Sequence, residues 1–167
     1  IFGKFGRDVS REAMKSLIRI GKPAVIPLSE ALLKHPRPGV RRNVAAALGR
    51  IRDVESVDSL ITALRTDADF EVRMRSAEAI GEMSEKWSID LLDNAVQALI
   101  EGLRDGDSNV RREAAGALGK IKDIKAVPAL IEALQTYGKE SDAGHALYKI
   151  TGQQLGNDPQ KWREWWN

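Results

Sequence analysis

Apolar positions along this chain recur with helical spacing, and the same short pattern returns at intervals. Val40, Val44, Ala47, Leu48 and Ile51 line one stripe of a helix whose other side is charged. The pattern opens on Val40-Arg41, Val72-Arg73 and Val110-Arg111 and closes on Leu48-Gly49, Ile80-Gly81 and Leu118-Gly119, with alanine at 45, 77 and 115. A second pattern follows each first one. It reads Val57-x-x-Leu60-Ile61-x-x-Leu64, Val96-x-x-Leu99-Ile100-x-x-Leu103 and Val127-x-x-Leu130-Ile131-x-x-Leu134, with a degenerate copy at Val25, Leu28 and Leu32. Both patterns predict helices, so the unit is a helical hairpin and the chain an array of them.

The expected units are 9–35, 36–67, 68–105, 106–138 and a closing unit 139–167. A single hairpin buries too few aliphatic groups, at roughly 1.5 to 3 kcal/mol each, to offset ordering about thirty residues at roughly 1 to 2 kcal/mol apiece. Stacking supplies the rest, and the two ends then need caps. Asp158-Pro159 reads as a helix start, after which Trp162, Trp165 and Trp166 share one helical face and are expected to close the array. Tyr148 stands where earlier units carry Gly49, Gly81 and Gly119. At the other end Phe2 and Phe5 read as a makeshift cap or the remains of a preceding repeat, and the absence of an initiator Met suggests an excised or processed chain. The third unit carries an insertion, Ser84 to Asn94, that brings in Trp87 with Ile89, Leu91 and Leu92. Its bland reading is an extension of the first helix packed on the array. The functional reading makes Trp87 a docking anchor.

The unit from Asn109 to Ile121 followed by Lys125 to Leu134 resembles a near-consensus HEAT repeat, most closely the short type named after phycobilisome lyase subunits. That resemblance implies an all-α, right-handed superhelix of four to five hairpins. It also implies a ladder between repeats made by an Asp six residues before an Arg, here Asp67 with Arg73 and Asp105 with Arg111, while His35 stands where an earlier Asp would be. In such arrays the first helices are expected on the convex side and the second helices on the concave side. Thr151-Gly152-Gln153 to Trp166 also resembles an ending of HEAT-type proteins.

Composition changes this picture little. Cysteine is absent, which removes disulfides, thiolate chemistry and Cys-based zinc sites. The net charge is +2, from 26 basic and 24 acidic residues, so no strong nucleic-acid signal follows. No apolar run approaches the roughly 18 residues of a bilayer span, and nothing resembles a signal peptide. A soluble array is expected, with the compartment open and the cytoplasm favoured. On the second helices the non-core positions include Asp58, Thr62, Arg65, Gln97, Glu101, Arg104, Glu132 and Gln135. This mixed, slightly acidic stripe is the expected binding surface, and it would not track phosphates.

Catalytic groupings are scarce. His35 lies in a Pro-flanked turn and His145, expected to be half-buried, on the last hairpin, with no paired His-Glu motif of the kind found in the HEAT-like iron hydroxylases. The expected function is therefore a non-enzymatic scaffold for a protein or peptide, with no cofactor, metal, nucleic acid or membrane partner. The resemblance leaves a lyase subunit as the alternative, and a nucleic-acid-binding HEAT-like protein as a more distant one.

Overall fold

The computed structural model describes residues 12–83 and 87–167, apart from the side chain of Glu140. Phe2, Phe5, the start of the first unit and Ser84 to Lys86 of the insertion lie outside the described residues. Helix α1 covers residues 12–20. It is followed by α2 (Val25–Lys34), α3 (Pro38–Ile51), α4 (Val57–Thr66), α5 (Phe70–Glu82), α6 (Ile89–Gly102), α7 (Ser108–Ile121), α8 (Val127–Tyr137), α9 (Ala143–Thr151) and α10 (Pro159–Trp166). The described residues contain no strand. The all-α stacked array expected from the pattern is what forms.

Local chemistry sets the helix ends. Asp69 caps α5 by accepting the amides of Glu71 and Val72, at 3.0 and 3.2 Å, and Asp107 caps α7 through Asn109 at 2.8 Å. Helices α3 and α7 stop because Arg52 and Lys122 turn left-handed, at φ 58° and 62°, and return their amides to Leu48 and Leu118. Asp53 and Asp123 then close a short 3₁₀ turn that leads into the next helix.

That turn separates helices rather than folding them together. The pairs that pack as hairpins are α2 with α3, α4 with α5, α6 with α7 and α8 with α9, whereas α3 and α4 barely touch. The repeating unit is thus phased one helix away from the expected 36–67, 68–105 and 106–138. The reason is the tight Asp turn after α4 and α6: it reverses the chain in a few residues and lays the Val-Arg helix directly on the helix before it.

Between units, α3, α5, α7 and α9 stack through small residues. A Cβ added at Gly49 would stand 2.8 Å from that of Ala79, one at Gly81 2.8 Å from that of Ala117, and one at Gly119 3.3 Å from that of Ala146. The glycines are there because the neighbouring helix backbone occupies their side-chain space. On the other layer, clefts of about 190 and 150 Å³ separate α4 from α6 and α6 from α8. A stack spaced more closely on one layer bends toward it, so the Val-Arg helices form the inner layer and α2, α4, α6 and α8 the outer. This reverses the expected sidedness. The stripe from Asp58 to Gln135, expected to be concave, faces outward.

The core runs unbroken between the two layers. Leu32, Leu48, Leu60, Ile80, Leu99, Leu118, Leu130 and Leu147 are all fully buried. At the C-terminal end α10 packs on α8. Of the three tryptophans expected to close the array, only Trp162 is completely buried, its Nε1 donating to the Gly156 carbonyl at 2.8 Å. Trp165 stands edge-on to it, and both Trp165 and Trp166 remain 40% exposed.

Candidate binding faces

The Asp and Arg residues of the repeats form a chain of contacts along the turns. Arg73 donates to the backbone carbonyls of Asp67 and Ala68 in its own hairpin turn, at 2.9 and 3.2 Å. It also makes a two-pronged contact to Asp105 of the next turn, at 2.7 and 3.0 Å. Arg41 does the same one unit earlier, holding the carbonyls of His35 and Pro36 and the carboxylate of Asp67. Asp67 and Asp105 also accept the amides of Asp69 and Asp107 and so fix their turns. Burial acts first to raise both carboxyls, but the hydrogen bonds from Arg41 and Arg73 and the turn amides outweigh it and hold both below the usual carboxylate range.

The two ends of this ladder differ from its middle. His35 accepts the amide of Arg37 through Nδ1 at 3.1 Å, closing the turn as the aspartates do without offering a carboxylate. At the other end Arg111 holds the carbonyls of Asp105 and Gly106 but forms no ion pair among the described residues; its guanidinium lies 4.1 Å over the Tyr137 ring. Its Nε is buried without a hydrogen bond.

On the outer layer the expected stripe is exposed but largely self-satisfied. Arg65 grips Glu101 through two hydrogen bonds at 2.7 and 3.0 Å, and Arg104 contacts Glu132 at 2.7 Å, each pair spanning a cleft between units. The bond from Arg65 is the main reason the Glu101 carboxyl sits below its ordinary range. Thr62 turns back to the carbonyl of Asp58. Asp58, Gln97 and Gln135 are exposed, and Gln135 lines a small recess of about 210 Å³ with Ile131 and Trp166. The four central charges are paired across the stripe, which leaves little free charge to recognise a partner.

The insertion lengthens α6 at its start rather than extending α5. Ser88 caps α6 through the amide of Leu91, and Asp93 near its first turns contacts Lys125 at 2.6 Å. Trp87, Leu91 and Leu92 are half-buried against the core, and only Ile89 projects, at 78% exposure. His145 is exposed rather than half-buried, with its ring tilted toward Tyr148.

A hollow of about 740 Å³ lies on the inner layer, over the seam between α3 and α5. Its floor is Ala46, Gly49 and Ala79, and its walls are Arg42, Asn43, Arg50, Arg52, Arg75, Glu78 and Glu82. Hydrogen bonds from Lys120 first and Arg52 second keep the Glu82 carboxyl low against its partial burial. Further along, Glu113 is raised by burial and by the nearby Glu78. These charges lie on helices expected on the convex side. The signal that could have found the hollow was the small residues at Ala46 and Gly49 on the polar side of the stripe, flanked by arginines.

Among the described residues no group of three or more His, Asp or Glu side chains could hold a metal ion, and no helix is long and apolar enough to cross a membrane. The geometry defines a class: an all-helical repeat array with two long faces, an inner hollow and an arginine ladder along its turns. The HEAT repeats family matches residues 5–81 and 57–147, and the chain belongs to it. The second match begins at the first residue of α4, in register with the α4–α5 hairpin. The chain is also similar to the phycocyanobilin lyase subunit alpha of a Picosynechococcus species, 33% identical over 87 residues that make up 48% of this chain and 30% of that protein. The subunit of the same name from a Nostoc species is 35% identical over 91 residues, 51% of this chain and 30% of the relative. The matched stretch thus spans about three-tenths of each relative's length.

Proposed function

We propose that this chain is a non-catalytic scaffold that binds a protein or peptide along the inner layer of α3, α5, α7 and α9. The observation that supports it best is the 740 Å³ hollow over the α3–α5 seam, set against an outer stripe whose central charges already pair with one another. Solenoids of this kind offer extended curved surfaces, and the regular core does not itself read a partner. Placing a photo-crosslinking side chain at Asn43 or Ala46, and separately at Asp58 or Gln97, tests the choice of face in native lysate. Specific adducts are expected from the first two positions; adducts confined to Asp58 and Gln97 would return binding to the outer stripe.

A second reading is favoured by the relatives, both named as lyase subunits: the chain contributes to a bilin lyase rather than acting only as a scaffold. Shared repeats do not by themselves transfer an activity. Covalent attachment of phycocyanobilin to an acceptor protein that depends on the purified chain would establish that role.

A further inference from the structure

We propose that the hollow over the α3–α5 seam takes an acidic peptide segment of a partner protein, one whose carboxylates are spaced apart rather than continuous. This rests on the inner-face scaffold reading and adds the chemistry of the occupant.

The floor, Ala46, Gly49 and Ala79, carries nothing longer than a methyl group, so a ligand's backbone or small side chains can descend between the walls. The walls hold four arginines against two glutamates. Arg75 is occupied by Glu78 within its own helix, and Arg42 reaches Glu71 outside the hollow. Arg52 must share Glu82 with Lys120. Arg50 forms no ion pair among the described residues, so the cations exceed the acids available to them. The uncompensated charge in the walls is therefore that of Arg50, and a guanidinium group matches a carboxylate in a planar, two-pronged geometry.

The interleaved acids select among anions. Glu71, Glu78, Glu82 and Glu113 recur along α5 and α7, and a nucleic-acid backbone with a charge at every step would be driven against them. A peptide can place alanine or serine opposite each glutamate and its own carboxylates opposite the arginines. The lining also lacks any aromatic ring on which a base could stack. The hollow is an open trough and not a closed cavity, so a small anion would stay largely in water there.

Fluorescence anisotropy with a short labelled peptide of alanine carrying glutamate at every fourth position tests this at low salt. Its lysine counterpart and an oligothymidine of matching charge serve as comparisons. Saturable binding is expected for the acidic peptide alone, weakening with added salt. Arg50→Glu should weaken it at least about tenfold, as should Ala46→Trp, which fills the floor. Arg50 is exposed and unpaired, so its replacement should leave the helical circular dichroism unchanged. Absence of saturable binding, equal binding by Arg50→Glu, or oligothymidine binding as tightly as the peptide would each overturn the proposal. If the peptide fails while crosslinks still form from Ala46, the scaffold reading stands and only the acidic occupant falls. If crosslinks form only from Asp58 and Gln97, both fall.

Discussion

At the scale of single residues, the ladder shows why one side chain can hold two repeats. Arg73 satisfies two carbonyls of its own turn and the carboxylate of the next, whose side chain is only 12% exposed. Removing it leaves the Asp105 charge uncompensated, so Arg73→Ala should cost on the order of 3 kcal/mol. Arg111→Ala frees carbonyls and the Tyr137 face and removes a weaker charge attraction to Asp105 without breaking an ion pair, and should cost about 1 to 2 kcal/mol. Urea midpoints at neutral pH rank the two, and an equal loss would mean that the carboxylate contact contributes nothing. The pH dependence follows from the depressed carboxyls of Asp67 and Asp105, which return to about 3.9 when the chain unfolds. Their contribution is complete above that value and is lost as pH falls through it toward the folded values. Stability should therefore decline from about pH 5 downward, and less steeply in Asp105→Asn; identical acid profiles would remove these carboxyls from the account. The sequence made the aspartate and arginine spacing legible but not which carboxylate each arginine meets. The Asp six residues upstream lends Arg73 its carbonyl, while the carboxylate comes from a turn 32 residues on, a distance that only the stacking creates.

At the scale of helices, the glycine seam sets how closely units approach. Gly81 and Gly116 lie on neighbouring inner helices, yet their surroundings differ completely. A Cβ at Gly81 would meet the Cα and Cβ of Ala117 at 2.8 Å, whereas one at Gly116 would meet nothing within 4 Å. Helix propensity favours alanine at both positions by roughly 1 kcal/mol. Gly116→Ala should therefore stabilise the fold by about 0.5 to 1 kcal/mol. Gly81→Ala should destabilise it by about 1 to 3 kcal/mol, because pushing α7 away costs more than the propensity returns. Thermal melts of the two variants that moved in the same direction would show that the seam is slack. The helices themselves were legible from their apolar periodicity, but their pairing was not. Period alone does not say whether a Val-Arg helix folds back on the helix before it or the one after, and that ambiguity produced both the shifted units and the reversed faces. For this reason the stripe expected to bind lies on the outer layer, and no apolar periodicity marks the hollow floored by Ala46 and Gly49.

At the scale of the whole molecule, stability is shared among nearest neighbours, so the effect of a change depends on where along the stack it falls. The C-terminal end relies on one side chain more than on a cluster. Trp162 is fully buried between α10 and the last hairpin and tied by its indole to Gly156, while Trp165 and Trp166 lie on the outside of that contact. Trp162→Ala should cost about 3 to 5 kcal/mol locally, against at most about 1 kcal/mol for Trp166→Ala. Because units couple mainly to their neighbours, the loss should appear first in α8, α9 and α10 and fade toward α4 and α5. Amide exchange measured segment by segment reads this directly. Protection is expected to collapse from Val127 onward in Trp162→Ala while residues 57–82 keep most of theirs. A uniform fall across the chain would instead mean that the array unfolds as one cooperative body, with the tryptophan stabilising all of it at once.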